Sequence, residues 1–228
     1  MWRIFIVLLL VGCSRAVSRL PGDEFLGVPY MVSPLGEAVL PDADPLIRFD
    51  VFDCTTFVET VLADANQEKL NKIRYKNGEV GFLSRNHFIE SDWLQNNSEL
   101  VENVSGKYAQ TKIMNVTIDK KSWFKKLHNI DVDFVPIGVA LEYIPYEYAH
   151  DIIVDKNMIV LFVADNQKNR DKIGTDLAIV HMGFVFPEDI LRHASSEHGA
   201  VVDASFRAYM AARKQNKNNL GIVLVDIK

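Results

Sequence analysis

The sequence predicts an α+β fold built around an antiparallel sheet. Three observations carry that expectation. Helix-periodic segments gather in the first half, short apolar runs of strand character fill the last third, and the links between those runs are too short for crossover helices. A chain of 228 residues is long enough to bury a sizeable core, and 48% apolar with 24% charged residues is an ordinary globular balance. The formal net charge of −5 gives no general attraction to phosphates, so no nucleic-acid partner is expected.

In chain order, Met1-Trp2-Arg3 carries positive charge and is followed by an apolar run from Ile4 to Val11. That run is far below the ~20 residues needed to cross a bilayer, so it reads as an export signal. It ends in Leu10-Val11-Gly12-Cys13, which resembles the cleavage and lipidation box of bacterial lipoproteins. The expected organisation is a signal over residues 1–12, a lipidated tether over 13–24 and one domain over 25–228. It implies a membrane-anchored protein of the periplasm or cell envelope, touching the membrane through a lipid on Cys13. A secretory signal cut after Ala16 is the alternative.

Pro34, Pro41 and Pro45 then punctuate an extended loop. Residues 53–65 read as a helix with Asp53 or Thr55 near its start, and Phe57, Val58, Val61 and Leu62 form its apolar face. A second helix is expected over 67–75, stopped at Asn77-Gly78, and 85–94 reads as a loop entering a short helix. Residues 101–105 and 112–118 are strand-like, 120–127 suggest a surface helix with Lys120, Lys121, Lys125 and Lys126 solvated, and 134–143 hold a short extended piece. Beyond these, 158–164 form an apolar strand, 165–174 a polar turn, and 177–186 the next strand, ended by Pro187. Residues 190–194 pair beside it, 201–202 begin another strand, 204–214 favour helix, and 221–225 form the last strand. There is no internal repeat.

Asp53-Cys54-Thr55-Thr56-Phe57-Val58-Glu59 is the most informative segment. A cysteine in the first turn of a helix lies near unpaired N–H groups, which stabilise both a thiolate and the oxyanion formed during amide attack. A free core cysteine sharing a face with Phe57 and Val61 is the competing reading. With Cys13 taken up by lipidation, or removed with a longer signal, Cys54 has no bridge partner in the mature chain. A cysteine nucleophile needs a base, and the base an orienting partner. His181 sits in an apolar strand that holds it rigidly, with Gly183 on the same face leaving room for a substrate or for the nucleophile helix. A satisfied core histidine is the alternative. His193 on the neighbouring strand is the first candidate to fix the tautomer of His181, and Asp176 the second. No His-Glu-x-x-His motif or acidic calcium loop is present, so neither metal nor cofactor is expected.

Gly27-Val28-Pro29-Tyr30, the Cys54 segment and His181-Met182-Gly183 occur in an order that resembles the NlpC-type papain-like cell-wall hydrolases. Within them the chain is similar to the N-acetylmuramoyl-L-alanine amidase-like family, whose further signatures stand here as Ser84-Arg85-Asn86-His87-Phe88, Asp92-Trp93 and Arg192-His193-Ala194-Ser195-Ser196. The likeness runs from Phe25 to the C-terminus. It implies a papain-like core with the catalytic helix on a small antiparallel sheet, Cys54 as nucleophile, His181 as base, His193 as third polar group, and Tyr30 shaping the oxyanion site. Two departures stand out: Val154-Asp155-Lys156-Asn157-Met158 replaces the usual Gly-Asp turn, and the stretch between Tyr30 and Asp53 is long enough for a substrate wall or a lid.

The implied activity is hydrolysis of peptidoglycan fragments between N-acetylmuramic acid and L-alanine, through an acyl-enzyme. Cleavage after γ-D-glutamate, or peptidoglycan binding without catalysis, are the alternatives. Muropeptides carry carboxylates, hydroxyls and amides, so Arg85 is the expected carboxylate ligand, Asn86 and His87 bind sugar or peptide groups, and Trp93 packs on a sugar face. A monomer is expected. The sulfur of Cys54 and an imidazole nitrogen of His181 are expected within hydrogen-bond range at the bottom of a groove.

Overall fold

The computed structural model describes residues 20–165 and 167–228; the segment read as an export signal, and Cys13, lie outside the described residues. The apolar runs form eight strands: β1 (Val101–Asn103), β2 (Lys112–Ile118), β3 (Ile137–Pro145), β4 (Met158–Ala164), β5 (Ile179–Phe186), β6 (Ile190–Ser195), β7 (Ala200–Ser205) and β8 (Asn219–Ile227). They make one antiparallel sheet in the order β2-β3-β8-β4-β5-β6-β7, with β1 also paired to β8. Every residue of β4 is buried, as its unbroken apolar run requires for a strand covered on both faces. The sheet is therefore larger than the small one expected.

Each face carries its own core. On one, α1 (Cys54–Leu62) and α2 (Gln67–Arg74) cover Leu161, Val163, Met182, Phe184 and Phe186. Phe57 is fully buried there, edge-on to Phe184 at 5.9 Å, a burial that stabilises by about 1.5–3 kcal/mol. On the other face, α6 (Phe206–Lys214) lays Phe206 and Met210 on Val160, Phe162, Val185 and Leu191. Arg192 ties the described start of the chain to this frame, donating to the carbonyls of Leu20 and Pro21 and pairing with Asp23 and Asp203.

Several elements differ from expectation. Helix α1 stops at Leu62 because Asp64 and Ala65 take left-handed φ values of 54° and 52°. Residues 165–174 contain helix α5 (Gln167–Ile173) in place of a polar turn. Six of its seven residues are polar, yet nothing breaks it before Gly174, where φ is 84°. Ile89–Trp93 forms a π-helical turn that continues into α3 (Leu94–Asn96), and α4 (Lys120–His128) begins at an Asp119 cap. The sheet extends to nine residues in β3 and nine in β8, because register with neighbouring strands recruits flanking residues that alternation alone leaves out.

Candidate active site

Asp53 fixes the position of Cys54. Its carboxylate accepts from Thr56 N–H at 2.7 Å and from Ser33 N–H at 3.0 Å, while its own N–H donates to Thr56 Oγ1 at 3.0 Å. This reciprocal cap makes Cys54 the first helical residue. Helix α1 packs against β5 and β6. Strand β6 pairs with β5 only over Phe184–Phe186, leaving His181 and Met182 without a β6 partner. The Met182 N–H is directed at the Cys54 sulfur, whose side-chain neighbour is Thr55 Oγ1 at 3.9 Å.

The thiol is not a resting thiolate. Cys54 as a residue is half-buried, but protein surrounds its sulfur, and burial first, then the Asp53 carboxylate, push its pKa up to about 11. The N–H of Met182 and the groups of Thr55 pull the other way and are weaker. Desolvation thus outweighs the helix-end stabilisation expected from the sequence.

His181 belongs to the face of β5 that looks toward α6: its ring stacks on Phe162 at 5.6 Å and lies 6.0 Å from Tyr209. Its Nε2 meets His193 Nδ1 at 2.7 Å. Burial lowers His181 to about 3 and His193 to about 4, so both are neutral at ordinary pH. No hydrogen bond joins Cys54 to His181 in this structure; the two instead border one cavity of about 170 Å³, with Thr55, Asn86, His87 and Met182 among its walls. With Nε2 occupied, only Nδ1 of His181 is free to accept a proton. That requires the hydrogen on Nε2, His193 accepting at Nδ1, and the His193 proton on its Nε2, a buried nitrogen with no protein partner.

Tyr30 is half-buried beside this centre, and burial followed by the nearby Cys54 and Asp53 raises its hydroxyl pKa. Its backbone is fixed by Tyr30 N–H to Gly199 O at 2.8 Å and by bridging to Phe52. Gly183 makes room for neither a ligand nor α1. A Cβ there would lie 2.7 Å from Arg192 O and 2.9 Å from His193 Cβ, so the glycine admits β6 and its histidine.

A second cavity of about 320 Å³ adjoins the first, sharing Thr55, Asn86 and His87. Ser33, Leu35 and Asp42 contribute to it, so the long stretch before Asp53 forms part of a groove wall. Here several expected substrate ligands have other duties. The Arg85 fork is held by Glu37 at 2.7 and 2.6 Å and by Asp42 at 2.7 Å, which leaves it no spare charge for a ligand carboxylate. Asn86 is buried, its amide donating to Ile73 O at 2.9 Å and accepting from Asn96. His87 borders both cavities, with Nε2 on Phe82 O at 2.6 Å. Trp93 is 0% exposed and has no face to offer a sugar: the π-helical turn rotates it into the core. Asp176 accepts from Thr117 N–H at 2.8 Å and pairs with Arg170, holding the β2 end instead of orienting His181.

The structure adds Trp123 and His128 to the groove and Tyr209 beneath the histidine pair, none of them singled out by the sequence. Trp123 lies in a helix whose lysines read as a solvated face, and Tyr209 in one whose partners are set by the sheet. Among the described residues no group of three or more His, Cys, Asp or Glu side chains is arranged to hold a metal ion.

A family model described as AmiA-like, N-acetylmuramoyl-L-alanine amidase-like, matches residues 21–220. A Legionella pneumophila protein superposes with a TM-score of 0.83 at 25% identity, over 90% of this chain and 86% of that one. An N-acetylmuramoyl-L-alanine amidase from Bacteroides uniformis superposes with a TM-score of 0.69 at 26% identity, over 91% and 96% of the two chains. A Bacteroides fragilis protein described as a candidate xylanase, 24% identical with a TM-score of 0.68 over 91% and 99%, speaks to the fold alone. No curated protein matches the chain.

Proposed function

Because this chain belongs to the AmiA-like, N-acetylmuramoyl-L-alanine amidase-like family, we propose that it hydrolyses the amide between N-acetylmuramic acid and L-alanine with Cys54 as nucleophile. The observation that carries the reading is the opening of Cys54 and His181 onto one cavity, with His193 2.7 Å behind His181. A helix-borne cysteine beside two strand-borne histidines, 12 residues apart, is also what supports an NlpC-type papain-like assignment.

Burial opposes charge on both the thiol and the imidazole, so the proton leaves sulfur as the carbon–sulfur bond forms. His181 Nδ1 receives it, and the lactyl carbonyl oxygen becomes an oxyanion facing the start of α1. The Cys54 N–H and the Tyr30 hydroxyl are the donors nearest to hand. Collapse breaks the carbon–nitrogen bond, and His181 returns the proton to the departing L-alanine amine. The muramoyl thioester then takes water, which gives a proton to His181, and the free acid and neutral thiol are regenerated. His193 acts through His181 by fixing its tautomer.

Mass spectrometry of the products of purified muropeptides tests this reading. An L-alanine-terminated peptide is expected, lost in Cys54→Ala. A product cut after γ-D-glutamate transfers the same machinery to the endopeptidase reading, and unchanged turnover by Cys54→Ala sinks the cysteine mechanism altogether. We further propose export and lipidation at Cys13, which puts the hydrolase in the envelope with its substrate. Radiolabelled palmitate that still enters Cys13→Ala would remove that part.

A further inference from the structure

We propose that the larger cavity is a subsite for an uncharged N-acetylated amino sugar, with Trp123 as its platform, so that the sugar half of the substrate lies on the Trp123 side of Cys54. This rests on the amidase reading above and gives it a direction. The first ground is continuity: the cavity joins the Cys54 cavity through Thr55 and His87, so a ligand in it reaches the reacting atoms.

Charge supplies the second ground. Both guanidiniums in the walls are already matched, Arg74 to Glu59 at 2.9 Å and Arg85 to Glu37 and Asp42 at 2.6 and 2.7 Å. The Asp53 carboxylate is spent on the α1 cap. A ligand carboxylate entering here meets carboxylates and no unpaired cation. Stem peptides carry several carboxylates, whereas the sugar half carries none once its lactyl carboxyl is amide-linked. Matched, immobile ion pairs suit hydroxyl and acetamide groups, which need donors and acceptors without net charge.

Shape supplies the third. Trp123 is half-buried, its indole packed by His87 at 4.8 Å, Phe88 at 5.3 Å, Phe124 at 4.9 Å and His128 at 4.8 Å. Such packing fixes a flat apolar wall against which the C–H face of a pyranose loses little further entropy on binding. Beside it, His87 donates through Nε2 to a carbonyl, leaving Nδ1 as an acceptor. Burial holds that ring neutral, with a pKa of about 3.

The test uses the full chain with its tryptophan indoles ¹⁵N-labelled, the Trp123 resonance being identified by its loss in Trp123→Phe. The β-1,4 dimer of N-acetylglucosamine and the stem tripeptide L-alanyl-γ-D-glutamyl-diaminopimelate are titrated separately. The dimer is expected to move the Trp123 resonance saturably while buried Trp93 stays still and the tripeptide does nothing. In Trp123→Leu, KM for muropeptide should rise about tenfold with kcat changed much less. A Trp123 resonance that follows the tripeptide, or ignores the saccharide into the tens of millimolar, overturns the assignment. The titration involves no turnover, and Trp123→Leu, which also removes the resonance, identifies it if Trp123→Phe fails to fold. It also separates the two readings: products cut elsewhere in the peptide, with a saccharide shift intact, remove the amidase and keep the sugar site.

Discussion

The charge state of Cys54 gives the sharpest test of the site. Burial and Asp53 move its thiol from an ordinary 9.0 to about 11. At pH 8 the thiolate fraction falls from about a tenth to about a thousandth, a 100-fold loss equivalent to about 2.7 kcal/mol. A more basic thiolate is also more nucleophilic. With a Brønsted slope of about 0.4–0.5 that returns roughly eightfold, so alkylation slows only about tenfold. The absolute rate is therefore a poor readout, being mixed with access. The inflection is a good one. Iodoacetamide incorporation into the Cys54 peptide, followed by mass spectrometry from pH 5 to 11, should still be rising at pH 10 and show no acid plateau. Asp53→Asn keeps the cap acceptor but removes the charge, and should move the inflection downward. A rate already level at pH 6, with its inflection near 4 or 5, would mean a preformed thiolate–imidazolium pair and would refute the argument that desolvation dominates.

Acid should unfold the protein early. His87, His181 and His193 are held at about 3, 3 and 4 when folded, below the ordinary 6.5, so the unfolded chain takes up protons that the fold excludes as pH drops below 6.5. Stability present above pH 6.5 is then lost at about 1.4 kcal/mol per histidine per pH unit; a urea midpoint unchanged between pH 7.5 and 5 contradicts this. Arg74→Met strands Glu59, whose side chain is 2% exposed, and should cost about 3–5 kcal/mol in urea unfolding, most of it regained in Arg74→Met with Glu59→Gln. Failure of the second change to restore stability would show that the pair matters through packing. Gly183→Ala forces a methyl to 2.7 Å from Arg192 O, costing about 1–3 kcal/mol, and muropeptide turnover should fall further than the loss of stability accounts for. Equal activity at a normal melting temperature would show that β6 yields without moving His193.

The positions of Cys54 and His181 on their elements were more legible than the groove, for a physical reason. Cys54 announces itself through a local device, a capping residue followed by a helical apolar face, and His181 through a polar group in an apolar strand. Both are features of contiguous residues. The substrate groups depend on distant pairings. Arg85 reads as a free guanidinium until Glu37 and Asp42, 48 and 43 residues away, close on it. Trp93 and Trp123 are equivalent as letters. One sits in a π-helical turn that rotates it inward, the other in an aromatic cluster at the groove, and nothing local distinguishes them. Strands 158–164 and 177–186 were readable because burial on both faces demands continuous apolar residues. The helix over Gln167–Ile173 was not, since a polar helix and a polar loop share a composition.

The same burial that keeps Cys54 and His181 uncharged also bears on which nitrogen holds the histidine hydrogen. When His193 Nδ1–H donates to His181 Nε2, the orphaned His193 Nε2 is only an unfilled acceptor, and the His181 hydrogen lies on Nδ1, which then cannot accept a proton. When the hydrogen lies on His181 Nε2, His181 Nδ1 is a base, but His193 must bury an N–H without a partner. An unmet buried donor costs about 1–3 kcal/mol, and among the described residues none meets this one, so protein contacts alone favour the first arrangement. Under the mechanism proposed above, only the second arrangement lets His181 take the thiol proton, so the balance between the two tautomers adds to the barrier. The barrier belongs to the site as a whole. A partner for His193 Nε2 lowers it without touching either reacting atom, which is why a residue beneath the pair, such as Tyr209 at 5.1 Å between ring centres, sits where substitution changes kcat while leaving KM alone.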